Sequence, residues 1–127
     1  MQYETAKKYM SKARNRDNGR PLGERATRMY DRGTHFAIRY HNTDVVCIYP
    51  DGWELNSGGY YTVTTKKRIN DYSPTYVFQR DWVWYINGNT EFHDHMFISL
   101  KGNAYNSRRD YLSIKAMKEM DTETQEA

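Results

Sequence analysis

Hydrophobic and polar residues alternate along the middle of the chain, as they do in β-strands that bury only one face. Phe36, Ile38 and Tyr40, for example, alternate with polar or small neighbours. Turn signals separate such runs at 50–52, 56–59 and 87–88, and Asn87-Gly88 is the strongest of them. The strands predicted in this way are 36–40, 44–49, 53–55, 60–63, 76–78, 82–86 and 90–100. Their order along the chain predicts an antiparallel meander.

Helical periodicity appears at both ends of the chain and once in its middle. Apolar residues recur at helical spacing over residues 3–15 and again over 111–120. Between them, Thr64 or Thr65 can cap a short helix over 66–71, and Pro74 follows its end. The pattern predicts an α+β fold: a small antiparallel β-sheet or partly open barrel with one short central helix and peripheral N- and C-terminal helices.

Composition limits the chain to one modest core. It has 127 residues, of which 38% are hydrophobic, and its twelve tyrosines exceed its four phenylalanines, which is typical of large side chains at a core edge or a binding face. No apolar run approaches the roughly 20 residues that span a bilayer, and the N-terminus lacks a signal-peptide pattern. We therefore expect an intracellular protein with no membrane partner. The single cysteine, Cys47, lies in an apolar run, which favours a buried structural thiol.

Charge is unevenly distributed. Residues 1–33 carry nine lysines and arginines against four acids, whereas residues 121–127 carry three acids and no base. We therefore predict a basic N-terminal helix and linker over 1–33, a β-rich core domain over 34–120 and an acidic disordered tail over 121–127. The basic segment suits a phosphate backbone or another anionic surface, although a solvated helix and linker would look the same.

The first candidate ligand site follows the threonine-rich segment. Thr64, Thr65, Lys66, Lys67 and Arg68 combine hydroxyl groups, three cations and a predicted helix start, and free N–H groups at such a start favour a phosphate. The glycine pattern of a P-loop is absent. The alternative is a capped surface helix whose basic side chains are solvated.

A second candidate is aromatic. Trp82 and Trp84 would share one face of their predicted strand, where they could stack on a base or close a subunit interface of a homo-oligomer. The alternative is that they belong to the core. Arg39, on the polar face of its predicted strand, joins the predicted ligand-binding residues.

Histidines supply the weakest candidates. His93 and His95 would point the same way on a strand and could hold a metal, with His35 or His41 as a third ligand. Histidine acid–base chemistry on a phosphodiester would need His41 or His95 beside Lys66 or Arg68. No metal-binding motif accompanies these residues, and the sequence implies no cofactor.

Several motifs resemble those of a family of small proteins encoded mainly by tailed bacteriophages. They lie between residues 41 and 85, at 41–46, 49–52, 55–60, 62–70 and 83–85, where the sequence reads HNTDVV, YPDG, LNSGGY, TVTTKKRIN and VWY. The resemblance implies a phage origin and a place of action in the host cytoplasm. It implies no catalytic activity.

Together these observations predict a non-enzymatic phage accessory protein that binds an anionic partner, either a nucleic acid or a nucleotide. Its origin suggests interference with a host or host-defence system. One alternative is a protein–protein inhibitor of a host enzyme. Another is a small histidine- or metal-dependent hydrolase.

Overall fold

The structure is a computed structural model that describes residues 1–15 and 17–126, the last six of these by their backbone alone. Within this part of the chain there are three α-helices and ten β-strands. The helices are α1 (Tyr3–Met10), α2 (Val63–Tyr72) and α3 (Arg108–Glu126). The strands are β1 (Arg20–Pro21), β2 (Thr27–Asp31), β3 (Phe36–Tyr40), β4 (Thr43–Tyr49), β5 (Gly52–Leu55), β6 (Val77–Arg80), β7 (Val83–Ile86), β8 (Thr90–Glu91), β9 (Met96–Ser99) and β10 (Ala104–Tyr105).

Neighbouring strands pair antiparallel throughout. Seven of the described strands form a main sheet in the order β1-β2-β3-β4-β5-β9-β10. The other three form a small sheet in the order β6-β7-β8, and along the chain they follow β5 and precede β9. Neither sheet closes on itself. The predicted α+β class is confirmed, with an open sheet instead of a barrel.

One face of the main sheet carries the core. Ile38 and Ile48 on the strands pack with Ala6 of α1, Ile69 of α2 and Trp84 of the small sheet in one buried cluster. The period-two alternation of β3 explains this arrangement, because every second side chain points to the same face. The opposite face, here called the open face, is contacted at its β9 end by α3, where the ring centroid of Tyr111 lies 4.9 Å from that of Phe97.

A β-bulge interrupts the pairing of β3 with β4. Ile38 is opposite Val46 and Arg39 is opposite Asp44, so Val45 is an extra residue on β4. Val45 and Val46 are both fully buried. The bulge therefore brings Asp44 onto the open face together with Cys47, although the two residues are three positions apart.

The predicted strand over 60–63 is wrong. Gly58 and Gly59 have φ values of 64° and 83°, and they lead the chain into α2 instead of a hairpin. The helix begins at Val63, earlier than predicted, because Thr62 is the N-cap: its Oγ1 accepts a hydrogen bond from the backbone N–H of Thr65 at 3.1 Å.

The predicted strand over 90–100 is also wrong, because it is two strands in different sheets. β8 pairs with β7, and β9 pairs with β5. The chain crosses between the sheets over residues 92–95, where Phe92 is buried and His95 has a φ of 70°.

The sheet and α3 do not follow the predicted segment boundaries. β1 and β2 lie before residue 34 and pair into the main sheet, and Ala6 and Met10 are buried in its core. α1 ends at Met10, not at residue 15. α3 continues through the predicted acidic tail to Glu126, since no glycine or proline interrupts it, and Ala127 lies outside the described residues.

No helix in residues 1–15 or 17–126 combines the length and the apolarity needed to cross a lipid bilayer.

Gly58 and Gly59 differ in the space that a side chain would find. A Cβ at Gly58 would lie 2.3 Å from Thr43 Oγ1, whereas a Cβ at Gly59 would meet nothing within 4 Å. We expect Gly59→Ala to cost about 1 kcal/mol of unfolding free energy through its positive φ, and Gly58→Ala to cost at least about 1 kcal/mol more. Urea denaturation of the two variants measures the difference. Equal costs would mean that Thr43 yields without strain.

Candidate functional site

The structure does not bring together the residues of the predicted phosphate site. Arg68 is only 7% exposed, its Nη1 forms an ion pair with Glu24 Oε2 at 2.6 Å, and its Nε donates a hydrogen bond to Thr27 Oγ1 at 3.0 Å. Tyr72 also donates to Glu24, at 2.6 Å. Arg68 therefore joins α2 to the sheet and is not a free cation.

The remaining residues of that segment are also engaged elsewhere. Lys67 pairs with Asp71 one turn later at 2.7 Å, and the Lys66 amine lies 5.9 Å from the Trp84 ring centroid. Thr65 is buried and Thr64 is half-buried. A cavity of about 410 Å³ near the start of α2 is lined by Thr62 and Thr65 but by none of the three cations.

Trp82 and Trp84 do not share a strand face. Asp81 and Trp82, with φ values of 52° and 69°, form the two-residue turn between β6 and β7. Two positive φ values in succession fit the twist of a tight hairpin. Trp82 is 91% exposed as a result, whereas Trp84 is buried, with its ring centroid 5.5 Å from that of Phe92.

His93 and His95 lie in the crossover between the sheets, so the alternation expected for one strand does not apply to them. His93 is exposed, and its Nδ1 lies 3.0 Å from the backbone oxygen of Asp94. Nδ1 of His95 lies 3.8 Å from Glu54 Oε2. Of the two cations that the hydrolase hypothesis names, Arg68 is buried in its ion pair with Glu24, and the Lys66 amine lies 5.9 Å from the Trp84 ring centroid.

A basic surface lies on the open face of β2 and β3. It consists of Arg28, Tyr30, Arg39 and His41, which line a shallow depression of about 210 Å³. Arg28 and Arg39 stand directly opposite each other in the antiparallel register. The Arg39 guanidinium carbon lies 5.7 Å from the centroid of the Tyr30 ring, and that of Arg32 lies 4.7 Å from it.

The arginines of the basic surface contact neutral oxygens. Arg28 donates to the backbone oxygens of Asn18 and Gly19, and Arg39 donates to the backbone oxygen of His41 and to Asn42 Oδ1. Among the described residues, no carboxylate pairs with Arg28 or Arg39. Arg28 and Arg39 are like charges in directly opposite positions, which is unfavourable in the absence of an anion. Asp44 is opposite Arg39 on the other side of β3, but its carboxylate is hydrogen-bonded by Arg32.

Beside the basic surface lies a polar cleft of about 480 Å³. Its lining includes His35, Asp44, Cys47, Glu54 and His95. His35 precedes β3, and Cys47 is paired in the sheet with Ala37 on one side and Glu54 on the other. Side chains from three adjacent strands therefore meet in the cleft.

Contacts around His35 and Asp44 fix their positions. The His35 ring stacks on Tyr49 with centroids 4.6 Å apart, and its Nδ1 lies 2.9 Å from Thr34 Oγ1. Arg32 donates two hydrogen bonds to the carboxylate of Asp44, at 2.9 and 3.2 Å.

Asn56 fixes the far side of the cleft. Its side-chain amide donates to Glu54 Oε2 at 3.1 Å, and its oxygen accepts from the backbone N–H of His95 at 2.7 Å. Asp94 accepts from the N–H and hydroxyl of Ser57 at 2.7 and 2.8 Å. The Asn-Ser-Gly-Gly motif thus ties the crossover loop to the edge of the cleft.

Burial changes the acidity of three groups in the cleft. It lowers the pKa of His35, which favours the neutral imidazole at pH 7. Burial, reinforced by the negative charges of Glu54 and Asp44, raises the pKa of the Cys47 thiol. Burial and the charge of Glu54 raise the pKa of Tyr49 to about 12. All three groups are therefore uncharged at neutral pH.

Sequence reasoning singled out Arg39 and His41 of the basic surface and His35 and His95 of the cleft, but it did not group them in these sites. It missed Arg28, Tyr30, Asp44 and Glu54. Residues 27–31 alternate between the two faces of β2, with Thr27 and Met29 buried and Arg28 and Tyr30 on the other face. This alternation indicates a strand, but the high charge of residues 1–33 favoured the interpretation of a linker. The signal for the bulge was the run of four apolar residues over 45–48, which breaks the period of two.

The comparisons with known proteins give the class of this protein and then its family. A protein-family model of tailed-phage origin matches residues 6–107, from within α1 to just before α3. The chain therefore belongs to the Kyanoviridae Gp96 protein family. No curated protein and no solved structure matches it. The match extends on both sides of the motifs that carry the phage resemblance.

Proposed function

We propose that this phage protein acts by binding, not catalysis, and that it binds a nucleic acid through the basic surface. The observation that carries the proposal is the pair Arg28 and Arg39, which face each other across β2 and β3 without a carboxylate partner in the described part of the chain. Two arginine side chains that line one depression from directly opposite strand positions can each contact a phosphate of a backbone.

The aromatic rings beside the arginines support a nucleic acid over a simple anion. Tyr30 and His41 flank the two guanidinium groups in the same depression. Flat rings beside cations are the combination that single-stranded nucleic acids use, since bases stack on the rings while phosphates meet the charges. Such binding would act in the host cytoplasm, where a phage protein can interfere with a host or host-defence system.

Binding of fluorescently labelled single-stranded and duplex oligonucleotides, measured by anisotropy at several salt concentrations, tests the proposal. We expect Arg28→Gln with Arg39→Gln to weaken binding by more than about tenfold and to flatten the dependence of log affinity on log salt by about two units, because two phosphate contacts are lost. Lys101→Gln with Arg109→Gln is the matched control, since it removes the same charge from exposed positions elsewhere.

Two results would contradict the proposal. One is the absence of binding to any oligonucleotide at about 50 mM salt, where non-specific contacts are strong. The other is an equal loss of affinity in the two double variants, which would assign the effect to net charge alone. Binding of a mononucleotide as tightly as of an oligonucleotide would point to a nucleotide ligand instead. Deleting residues 1–33 is not a substitute, because β2 and part of the core would be lost.

Trp82 favours a second candidate function, the inhibition of a host enzyme by direct contact. A tryptophan that is 91% exposed at the tip of a hairpin, with a φ of 69°, is a typical anchor for a protein partner. We expect Trp82→Ala to abolish the biological effect of the protein in infected cells while leaving oligonucleotide affinity unchanged. A variant that retains the full biological effect would exclude this candidate.

A further inference from the structure

We propose that His35, Asp44 and Cys47 form a binding site for a divalent transition-metal ion of the zinc type in the polar cleft. One ligand atom from each residue, an imidazole nitrogen, a carboxylate oxygen and a thiol sulfur, lies within 4.8 Å of the other two. Among the described residues, this is the one group of three potential ligands that meets so closely. The three ligands are not part of the basic surface, although Arg39 of that surface also lines the cleft, and the site does not depend on the proposed function.

The fold assembles this cluster from one strand, β4, which carries Asp44 and Cys47, and from the loop before β3, which carries His35. His35 ends the loop between β2 and β3, two residues before Ala37, which is paired with Cys47. Residues two apart on one strand share a face, so His35 is a diagonal neighbour of Cys47. The extra residue Val45 then turns Asp44 to the same side. Bulges of this kind commonly re-aim a side chain next to a functional site.

The donor set indicates which metals fit. Thiol sulfur with imidazole nitrogen and one carboxylate suits Zn²⁺ or Co²⁺ and is a poor set for Mg²⁺ or Ca²⁺, which prefer oxygen ligands alone. Ligand atoms roughly 2.0–2.3 Å from a tetrahedral zinc ion are about 3.3–3.8 Å from one another. The 4.8 Å limit on the observed separations exceeds that distance by about 1 Å, so binding would draw the three ligand atoms closer together.

Neighbouring groups already position the ligands. Thr34 Oγ1 lies 2.9 Å from the His35 ring, which is also stacked on Tyr49, and Glu54 is directly opposite Cys47 in the pairing of β4 with β5. Such outer contacts orient metal ligands and tune their affinity. Three protein ligands leave the fourth position open toward the cleft, which is the arrangement of zinc sites that keep a water molecule.

Arg32 competes with a metal for Asp44. Its two hydrogen bonds occupy both oxygens of the Asp44 carboxylate, at 2.9 and 3.2 Å. A metal ion would have to replace at least one of them. Removing the guanidinium should therefore strengthen metal binding, which is the reverse of what the loss of a merely structural ion pair would do.

The test is a titration of the metal-free full-length protein with Co²⁺, followed by absorption spectroscopy and by competition with Zn²⁺. We expect one cobalt ion per chain, a thiolate-to-cobalt charge-transfer band and displacement of cobalt by zinc. Cys47→Ser should remove the band. His35→Gln should weaken cobalt binding by more than the roughly 10–100-fold that the loss of an outer contact causes. Circular dichroism and thermal denaturation confirm that each variant is folded.

His93→Gln is the matched control, because His93 is exposed and contacts none of the three ligands by a described hydrogen bond. It should leave the affinity unchanged, and Arg32→Gln should raise it. The proposal is overturned if the wild-type protein gives no charge-transfer band, or if His93→Gln weakens binding as much as His35→Gln. Unchanged or weaker binding by Arg32→Gln would exclude Asp44 and overturn the three-ligand site.

Discussion

Replacing Arg68 by glutamine is expected to lower the free energy of unfolding by about 3 kcal/mol, the largest effect among the basic residues of α2. Arg68 is buried and forms its ion pair with Glu24 at 2.6 Å. The shorter neutral side chain cannot replace that contact, so Tyr72 is the one side-chain donor to the Glu24 carboxylate left among the described residues. A partly buried carboxylate without its cation is costly.

Urea denaturation of the single variants measures this effect. Lys66→Gln and Lys67→Gln are the matched controls, and each should change stability by less than about 0.5 kcal/mol, because the pair of Lys67 with Asp71 is exposed. Adding Glu24→Gln to Arg68→Gln should recover part of the loss, since the unpaired charge is removed. If Arg68→Gln were as stable as the lysine variants, the ion pair would not be a structural link between α2 and the sheet.

Replacing Gly52 by alanine is expected to cost about 3 kcal/mol or more. Gly52 opens β5 with a φ of 156°, and a Cβ there would lie 2.2 Å from the backbone oxygen of Ile98 and 2.6 Å from the Phe97 ring. Neither neighbour can retreat easily, because β5 and β9 are paired at this point through Gly52 and Ser99. The clash therefore strains the centre of the main sheet.

Gly88→Ala is the control for backbone conformation alone. Gly88 has a φ of 106°, and a Cβ there would meet nothing within 4 Å. Its alanine variant should lose only about 1 kcal/mol. Thermal denaturation monitored by near-ultraviolet circular dichroism compares the two variants, and similar melting temperatures would show that β9 shifts freely away from β5.

The position of Arg68 was partly visible in the sequence. Thr65, Ile69 and Tyr72 recur at helical spacing and are the buried face of α2, and Arg68 lies among them. That periodicity indicates that the three consecutive cations cannot all face solvent. The identity of the partner was not visible, because Glu24 is far away along the chain and approaches only through the packing of α2 on the sheet.

The exposure of Trp82 follows from a difference of one residue in where β7 begins. The sequence predicts that β7 begins at Trp82, whereas it begins at Val83. Asp81 and Trp82 are not the glycine or asparagine usual at positive φ, so local preference gave no sign of the turn. The pairing of Arg80 with Val83 decided it.

The sequence alone determined the class of the fold, the middle helix and the hairpin after β7, because periodicity and turn chemistry act over a few neighbouring residues. It also determined that Cys47 is buried. Only the tertiary structure decided which polar side chains meet. The basic surface needs the register of β2 against β3, and the polar cleft needs the bulge at Val45. A shift of one residue in a strand reverses the face of its side chains, so sites of this kind depend on pairing between distant segments.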